Sequence, residues 1–509
     1  MYDFSPIDKA GDSVTSVRIQ NPPAAIMKTV CSALLALCCL SLTAYTPAPP
    51  TAKPNIILIF MDDLGYGDLS CYGALDYRTP NLDRMASEGM RFTNFVSAQA
   101  VCSASRAGLM TGCYPNRVGI SGALFPGAKV GLAPEEETIA DLLKARGYAT
   151  GAFGKWHLGD APAFLPTRQG FDEYLGIPYS NDMWPMQYDG NPAKEGTPKA
   201  KVPPLPIYRN ERIVDTIDNL EEQSTLTGRY TDAAIAFIKK NRNKPFFAYI
   251  PHNMPHVPIN ASPAFRGKSK QGLYGDVIME VDHNIGRIFN TLKELGIDKN
   301  TLVIFTSDNG PWMNYGHHAG SSGGLREGKG TSFEGGQRVP CLVRWPGVVP
   351  AGLVANQLAS TIDVLPSVVS LTGAAMPQRK IDGVDISVIW KGDMTASPRR
   401  TFWYYYRKNN LEAVRYDNWK LVFAHPARSY LGQAPGFEGF PGKAPENIDV
   451  AIGLYDLRRD PAEQHDVKEQ YPDIYQKLLA IGEEARTELG DDLKEVKGTA
   501  NRPSGRITD

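Results

Sequence analysis

The sequence predicts an α/β fold in which helices cover both faces of a sheet. The strongest indication is a set of continuous apolar runs, each of which leads into polar residues. Continuous rather than alternating hydrophobicity is typical of strands that are buried on both faces. The runs are residues 55–60, followed by Asp62; 148–153, followed by Lys155; 246–250, followed by His252; and 302–305, followed by Asp308.

Helices are predicted between these runs because apolar residues recur there at spacings of three and four. Leu82, Met85 and Ala86 show this spacing, and the segments 139–143 and 285–292 repeat it. In open α/β sheets, ligands bind beyond the carboxyl ends of the strands. The polar residues that follow the apolar runs are therefore expected to converge on one site.

The pattern changes near residue 401. Aromatic-rich short segments at 402–406 and 419–423 are followed by a strand-like segment at 454–457 and a helical segment near 471–489. This succession predicts a small antiparallel sheet with one packed helix. The predicted parts of the chain are residues 53–400, the large domain that carries the candidate site; 401–497, an α+β subdomain; and 498–509, a loose polar tail.

Residues 1–52 are predicted to be an extension and a signal peptide. Met27 precedes an apolar run at 30–42 that is too short to span a bilayer, and small and proline-rich residues follow it. We expect a start at Met27, cleavage after Ala44, export to the periplasm or the medium, and no stable membrane span. Cys38 resembles the cysteine of a lipoprotein signal, but the bulky leucine before it disfavours lipid attachment.

Composition and cysteine content narrow the class of protein. A chain of 509 residues, 42% of them hydrophobic, can bury a large core. Its formal net charge of −1 provides no basic field for nucleic acid, so no nucleic-acid partner is expected. Loss of the signal would leave Cys71, Cys102, Cys113 and Cys341, which excludes a disulfide scaffold. If one bridge forms, the expected pair is Cys71 with Cys113.

Cys102 is the most informative residue, because an arginine, Arg106, follows it four positions later in an exported chain. The residues alone leave two interpretations open, a reactive group in precursor form and a buried structural thiol. The stretch 102–112, Cys-Ser-Ala-Ser-Arg-Ala-Gly-Leu-Met-Thr-Gly, resembles the maturation signature of the type I sulfatases, whose cysteine is oxidised to Cα-formylglycine. The resemblance implies that a maturation enzyme is a partner. Ala104 stands where the commonest signature has proline, so the sequence leaves open which maturation enzyme acts.

The resemblance also implies a mechanism. A hydrated aldehyde carries two hydroxyl groups on one carbon, so one can attack the sulfur of a sulfate ester and the other can later drive out the sulfate. Covalent catalysis of this kind divides one difficult displacement into two easier steps. Arg106, one helical turn from Cys102, is expected to hold negative charge near the nucleophile.

Two clusters of oxygen ligands follow predicted strands. Asp62 and Asp63 come after the first run, and Asp308 and Asn309 come after the last one. An all-oxygen set suits calcium or magnesium, whereas zinc favours nitrogen or sulfur. Adjacent aspartates after a strand also occur as helix caps or turns. Both stretches resemble the metal-binding motifs of the sulfatases, which implies that these four residues bind Ca²⁺, or alternatively Mg²⁺, with the modified Cys102 beside the ion.

Four basic or histidine side chains complete the resemblance. Lys155 and His157 lie in a Gly-Lys-Trp-His-Leu-Gly stretch that matches the sulfatase motif for sulfate and formylglycine. The resemblance implies that Lys155 contacts substrate and that His157 takes the proton in the elimination step. It further implies that His256 and Lys329 bind substrate and protonate the leaving alcohol. A histidine between prolines is otherwise most often a loop residue.

Charge accounting favours a sulfate ester as substrate. Three carboxylates around a divalent cation leave one negative charge, while Arg106, Lys155 and Lys329 supply three positive ones. A sulfate ester is a monoanion, whereas a phosphate monoester brings roughly one further negative charge at neutral pH. The site therefore suits sulfate without excluding phosphate.

The resemblance extends from about residue 55 to 467 and is greatest for the group of arylsulfatase A and N-acetylgalactosamine-6-sulfatase. It implies an alkaline-phosphatase-like fold with a large mixed sheet, and a sulfatase that acts on sulfated carbohydrates of the galactose or N-acetylgalactosamine type. Trp184, Trp312 and Tyr315 are candidates for the sugar pocket, with core packing as the alternative. Two rival functions remain, a phosphodiester or phosphonate hydrolase of the same superfamily and a non-catalytic carbohydrate-binding protein.

Overall fold

The computed structural model describes residues 53–507. The predicted signal segment and the start at Met27 therefore lie outside the described residues. In the described part of the chain, no helix combines the length and the apolar character that a bilayer-crossing segment needs.

The large domain is built around a ten-stranded sheet. Its strands, in chain order, are β1 (Asn55–Met61), β2 (Met90–Phe92), β3 (Ala149–Phe153), β4 (Glu173–Gly176), β5 (Leu205–Arg209), β6 (Arg212–Ile217), β7 (Phe246–Pro251), β8 (Thr301–Ser307), β9 (Cys341–Arg344) and β10 (Leu353–Ala355). They lie in the order β10-β2-β9-β8-β1-β7-β3-β4-β5-β6. The five strands from β8 to β4 in this order are parallel, and antiparallel pairs flank them, so the expected mixed sheet is confirmed.

The register of the central strands brings their carboxyl ends to one edge of the sheet. Met61 at the end of β1 lies opposite Ser307 at the end of β8, and Phe60 lies opposite Pro251 at the end of β7. The residues that follow these strands therefore leave the sheet side by side. This alignment is what positions the candidate site.

The described part of the chain has seven helices of seven or more residues. They are α1 (Pro80–Glu88), α2 (Cys102–Thr111), α3 (Ile139–Ala145), α4 (Leu226–Asn241), α5 (Leu273–Glu294), α6 (Val364–Thr372) and α7 (Pro472–Leu489). Helices α2, α3 and α6 pack on one face of the large sheet, and α1, α4 and α5 pack on the other. Ile56 and Leu58 of β1 face the first group while Ile57 and Ile59 face the second, which explains the continuous apolar run.

The C-terminal part forms a four-stranded antiparallel sheet that is covered by α7. Its strands are β11 (Thr401–Tyr406), β12 (Asn410–Tyr416), β13 (Trp419–Val422) and β14 (Gly453–Asp456). Leu478 and Ala485 of α7 are fully buried against this sheet together with Leu411 and Leu421. The predicted small sheet with one packed helix is confirmed.

The prediction of a loose tail is wrong for the residues that the structure describes. Gly505–Arg506 pairs antiparallel with Val130–Gly131 of the large domain. Arg502 donates to both carboxylate oxygens of Glu136, at 2.7 and 2.8 Å, and Glu136 is buried. The tail therefore lies along the surface of the large domain, held by an ion pair and a short strand, although most of its side chains are exposed.

The expected Cys71–Cys113 bridge is also wrong. Within residues 53–507 all four cysteines are free thiols. Cys113 belongs to the core on the α2 side of the large sheet, whereas Cys71 packs against the core on the opposite side. A disulfide requires Cα atoms within roughly 7 Å, and the sheet lies between these two.

Candidate active site

The oxygen-rich residues after β1 and β8 come together at the edge of the sheet. The backbone N–H of Asp63 donates to Asp308 Oδ1 at 3.1 Å, and Asn309 Nδ2 donates to Asp63 Oδ1 at 2.7 Å. Asp62, Asp63, Asp308 and Asn309 are all buried. The four candidate ligands named from the sequence thus form one cluster.

A tight turn directs the two aspartates after β1 toward this cluster. Asp63 has a φ of 63°, in the left-handed region that aspartate tolerates better than most residues. The next backbone N–H, of Leu64, donates to Ser307 Oγ at 3.0 Å and ties the turn to the end of β8. The local sequence therefore fixes where both carboxylates point.

Cys102 is the first residue of α2 and is buried beside the carboxylates. Burial raises the pKa of its thiol to about 12, although Lys155 and Lys329 oppose this shift. A thiol that stays protonated at neutral pH is a poor nucleophile. As an unmodified cysteine, this residue is therefore not prepared for direct attack.

Arg106 lies one turn further along α2 and carries a fully buried guanidinium. Its Nη2 is 2.8 Å from Asp308 Oδ2 and 3.4 Å from Asp62 Oδ1. Its guanidinium also lies 5.3 Å from the centre of the Phe60 ring. Arg106 therefore links the helix that carries Cys102 to the ends of β1 and β8.

Lys155 and His157 follow β3 and reach the same cluster. Lys155 Nζ donates to Asp62 Oδ2 at 2.6 Å. Gly154 before it has a φ of 142°, and a Cβ there would lie 1.9 Å from the Pro251 carbonyl oxygen, so this turn requires glycine. The turn brings the end of β3 against the end of β7.

His157 is held as a neutral imidazole. Its Nε2 lies 2.8 Å from the Leu124 carbonyl oxygen, and because a carbonyl only accepts, Nε2 carries the proton. Nδ1 has no hydrogen-bond partner among residues 53–507. Burial, with Lys155 and Arg106 nearby, lowers the pKa of His157 well below its usual value. The ring therefore presents a lone pair at Nδ1.

His256 and Lys329 approach Asp63 from two further loops. His256 Nδ1 donates to the Val257 carbonyl at 2.6 Å, and its Nε2 lies 3.7 Å from Asp63 Oδ2. Lys329 Nζ lies 2.8 Å from Asp63 Oδ1 and 4.4 Å from the centre of the Trp312 ring. Burial and Lys329 lower the pKa of His256. Burial acts against the charge of Lys329, but Asp63 and its neighbours hold the pKa of Lys329 well above its usual value.

Sequence reasoning missed Ser180. It follows β4, the parallel neighbour of β3, and its Oγ accepts from Lys155 Nζ at 3.1 Å and lies 3.4 Å from His256 Nε2. Asn181 Nδ2 donates to the His256 carbonyl at 3.2 Å and fixes that loop. The sequence signal that could have found it is its position after a strand, because residues that follow the parallel strand β4 lie at the same edge of the sheet as those that follow the other four parallel strands.

The three candidate aromatic residues separate into two groups. Trp184 has no exposed surface and Tyr315 is 1% exposed, and both belong to the hydrophobic core, so their burial favours the core-packing alternative for these two. Trp312 is only partly buried and lies 5.6 Å from the His256 ring, centre to centre. Tyr315 packs edge-on against Trp312 at 4.9 Å and supports it from behind.

The donor set fits a divalent cation. One ligand atom each from Asp62, Asp63, Cys102 and His256 lies within 4.8 Å of all the others. Asp62 Oδ1 and Asn309 Oδ1 are buried, and neither has a hydrogen-bond partner in the described chain. Burial and Asp62 raise the pKa of Asp308 to about 7, a sign of crowded negative charge that a cation relieves. Carboxylate and amide oxygens suit a hard ion such as Ca²⁺ or Mg²⁺.

Comparison with known proteins identifies the family. A family model described as Sulfatase matches residues 54–374, and one described as the C-terminal region of aryl-sulfatase matches residues 397–506. Human arylsulfatase A is 39% identical over 81% of this chain and 83% of its own length. The N-acetylgalactosamine-6-sulfatase of Canis lupus familiaris is 36% identical over 87% of each chain. The crystal structure of PsFucS1 sulfatase from Pseudoalteromonas sp. is 29% identical, with a TM-score of 0.76 over 91% of this chain and 95% of that one.

The chain belongs to the sulfatase family, and the resemblance inferred from the motifs is confirmed. The expected alkaline-phosphatase-like architecture is confirmed as well. Sulfatases are sulfuric ester hydrolases, so the protein is an enzyme of that class.

Proposed function

We propose that the protein hydrolyses sulfate esters of carbohydrates, with a nucleophile derived from Cys102 and the help of a divalent cation. The observation that carries this proposal is the position of Cys102, which is buried among three carboxylates and three cationic side chains. The names of the relatives support a sugar substrate, because N-acetylgalactosamine-6-sulfatase is among them. The galactose or N-acetylgalactosamine type is the substrate class that we propose.

Asp62, Asp63, Asp308 and Asn309 would hold the cation, which we take to be calcium, with magnesium as the alternative. When bound, the ion would polarise the sulfate oxygens and stabilise the negative charge that develops there. The unsatisfied oxygens of Asp62 and Asn309 support this ligand set. Because three buried carboxylates already face three buried cations, the ion would make the site positive overall. A positive site attracts an anionic ester.

We propose that a maturation enzyme, acting as a partner, converts Cys102 to Cα-formylglycine; the resemblance of residues 102–112 to the maturation signature and the position of Cys102 beside the carboxylates support this. The hydrated aldehyde would supply one hydroxyl for attack on sulfur and a second hydroxyl for release of sulfate. Arg106 would orient this end of α2, since its guanidinium bridges Asp308 and Asp62. Arg106 would therefore keep the side chain at position 102 facing the oxygen cluster.

We assign Lys155 to sulfate binding and His157 to proton transfer. Lys155 Nζ already lies between Asp62 and Ser180 and can donate to an additional oxygen. His157 is neutral and has a free lone pair at Nδ1, so it can take up a proton from a hydroxyl at position 102. Burial of the ring maintains this neutral state.

His256 and Lys329 would serve the leaving group. The neutral His256 ring uses its Nδ1–H on the Val257 carbonyl, so Nε2 must gain a proton before it can donate. Lys329 already carries donors and lies against the Trp312 ring, where it can offset charge on the bridging oxygen. Ser180 lies close enough to His256 to orient that ring and to contact the substrate.

The experiment that tests the proposal compares 4-nitrophenyl sulfate with 4-nitrophenyl phosphate and its phosphodiester. The protein is produced together with a formylglycine-generating enzyme, and the Cys102→Ala variant is the control. We expect a kcat/KM for the sulfate that exceeds those for both phosphate esters. Higher turnover of a phosphate ester would favour the phosphodiester or phosphonate hydrolase, and equal inactivity on all three esters would favour the carbohydrate-binding protein. We also propose export to the periplasm or the medium, on the strength of the apolar run at 30–42.

A further inference from the structure

A cavity of about 770 Å³ lies between the large domain and the C-terminal sheet. Tyr66 and Thr93 contribute the wall on the side of the large domain, and Asn418 and Leu457 contribute the wall on the other side. None of the six catalytic candidates lines it. Its volume is in the range of about 300–1,000 Å³ that is typical of small-molecule sites.

The lining of this cavity is rich in arginine, and although Arg338, Arg399, Arg400 and Arg458 each pair with a carboxylate, Arg415 has its nearest one, Glu334, at 3.7 Å. Five arginines contribute to it, and Asp417 is the carboxylate among its lining residues. The five are Arg338, Arg399, Arg400, Arg415 and Arg458. Arginine presents a planar fork of donors that matches carboxylate and sulfate groups in two-point hydrogen bonding. The lining therefore favours an anionic ligand.

Buried charge next to the cavity is not balanced. Glu334 is shared by Arg338 at 2.7 Å, Lys420 at 3.1 Å and Arg415 at 3.7 Å, and Lys420 also pairs with Glu463 at 2.9 Å. All five side chains are buried, so two carboxylates face three cations. A buried charge without a counter-charge is strongly unfavourable. One further negative charge at this place would complete the network.

Unpartnered polar atoms line the same space. Arg415 is 1% exposed, and its Nη1 has no hydrogen-bond partner in the part of the chain described. The side-chain oxygens of Asn94 and Gln357 also lack partners within that part, and both residues line the cavity. Arginine donors suit the anionic group of a ligand, while amide oxygens suit hydroxyl or N–H donors. This combination matches a sugar that carries a sulfate or carboxylate group.

We propose that this cavity is a second anion-binding site, separate from the catalytic cluster, which takes a sulfate- or carboxylate-bearing sugar unit. The choice of a sugar rests on the proposed function, whereas the binding of an anion follows from the lining itself. A charged polysaccharide would then contact the protein at two places. Free inorganic sulfate carries the same charged group and is the alternative ligand for this cavity.

Two neighbouring arginines provide a matched pair of variants. Arg458 lines the cavity and Arg459 does not, yet both are exposed and both lie within 4.0 Å of Asp456. Arg458→Glu and Arg459→Glu change net charge equally. Each is made in a Cys102→Ala background, so that no turnover occurs during the binding measurements. The probes are inorganic sulfate and a chondroitin 6-sulfate hexasaccharide, titrated by calorimetry at constant ionic strength. Because the catalytic cluster also binds sulfate, the isotherms are fitted to two sites, and the Kd compared between variants is that of the second site.

We expect Arg458→Glu to raise the Kd for both probes about tenfold, as loss of a charged hydrogen bond does, and Arg459→Glu to leave both within about twofold. Tighter binding of the hexasaccharide than of sulfate assigns the site to a sugar unit, and equal binding assigns it to the free anion. Unchanged binding in Arg458→Glu, or an equal loss in both variants, would overturn the proposal. In protein that retains Cys102, Arg458→Glu is expected to leave turnover of 4-nitrophenyl sulfate unchanged. Absence of this turnover in the wild-type protein would contradict the proposed function but not the second anion site.

Discussion

The guanidinium of Arg106 lies 2.8 Å from the carboxylate of Asp308, and neither side chain has any exposed surface. This pair joins the helix that begins with Cys102 to the end of β8, where Asn309 also lies. A buried pair of this kind fixes geometry more than it adds stability, because desolvation offsets much of the attraction. The contact therefore explains how position 102 is held against the oxygen cluster.

Metal removal gives the first prediction. Treatment with a chelator should abolish sulfatase turnover, and calcium or magnesium should restore it, because the oxygen cluster would lose the cation that polarises sulfate. Asp308→Ala and Asn309→Ala should not be rescued. Turnover and the calcium-dependent rise in Tm are measured for each variant, with the exposed Asp232→Ala as control. Full activity of metal-free protein would rule out the four ligands together.

The two histidines are expected to differ in their dependence on the leaving group. An activated nitrophenolate needs little protonation on departure, whereas a sugar alkoxide needs much. His256→Ala should therefore reduce turnover of a sulfated sugar by ~10²–10⁴-fold and reduce turnover of 4-nitrophenyl sulfate far less. His157→Ala should impair both substrates, because its Nδ1 serves a step that they share. Equal losses on both substrates for His256→Ala would show that this ring only binds sulfate or shapes the pocket.

Glu412 makes stability depend on pH. Burial raises the pKa of its carboxyl to about 8 from 4.5. His425 Nε2 lies 3.3 Å from Glu412 without a hydrogen bond to it, and Glu412 Oε1 has no hydrogen-bond partner in the described chain, so burial of the carboxyl favours its protonated form. The folded state then binds more protons than the unfolded state between pH 4.5 and pH 8. The free energy of unfolding should fall as pH rises through this window, at up to about 1.4 kcal/mol per pH unit, and level off above it.

The matched variant is Glu412→Gln, which resembles the protonated acid. Its unfolding free energy, measured by urea denaturation from pH 5 to 9, should fall less steeply than that of the wild type. The two curves should separate as pH rises to about 8 and run parallel above it. Parallel curves across the whole range would contradict the assignment of a proton to Glu412.

Arg502 tests the docking of the tail. Arg502→Ala leaves the buried Glu136 with Arg379 as its remaining ionic partner, so we expect a loss of ~1–3 kcal/mol in unfolding free energy. Activity on 4-nitrophenyl sulfate should not change. Arg506→Ala is the control, because that residue pairs with the large domain through its backbone. If Arg502→Ala and Arg506→Ala have the same stability, the tail does not contribute through this ion pair.

The central strands and the site at their ends were predictable because burial on both faces of the sheet leaves a local signal, a continuous apolar run. Other features leave no local signal. Ser180 follows a short strand with a partly polar sequence, and the tail pairs with residues more than 370 positions away along the chain. The role of Trp184 is ambiguous in the sequence because aromatic residues serve both cores and sugar pockets, and composition does not separate the two uses.

The mass of the peptide that contains Cys102 tests the central claim most directly. It is measured by mass spectrometry in protein that turns over 4-nitrophenyl sulfate, after production with and without the maturation enzyme. We expect the mass of an aldehyde in place of the thiol, and the fraction of the peptide in this form should rise in proportion to kcat. Cys102→Ala should show no turnover, although its Tm should lie within a few degrees of that of the wild type. Full turnover by protein in which Cys102 is entirely a thiol would contradict the account.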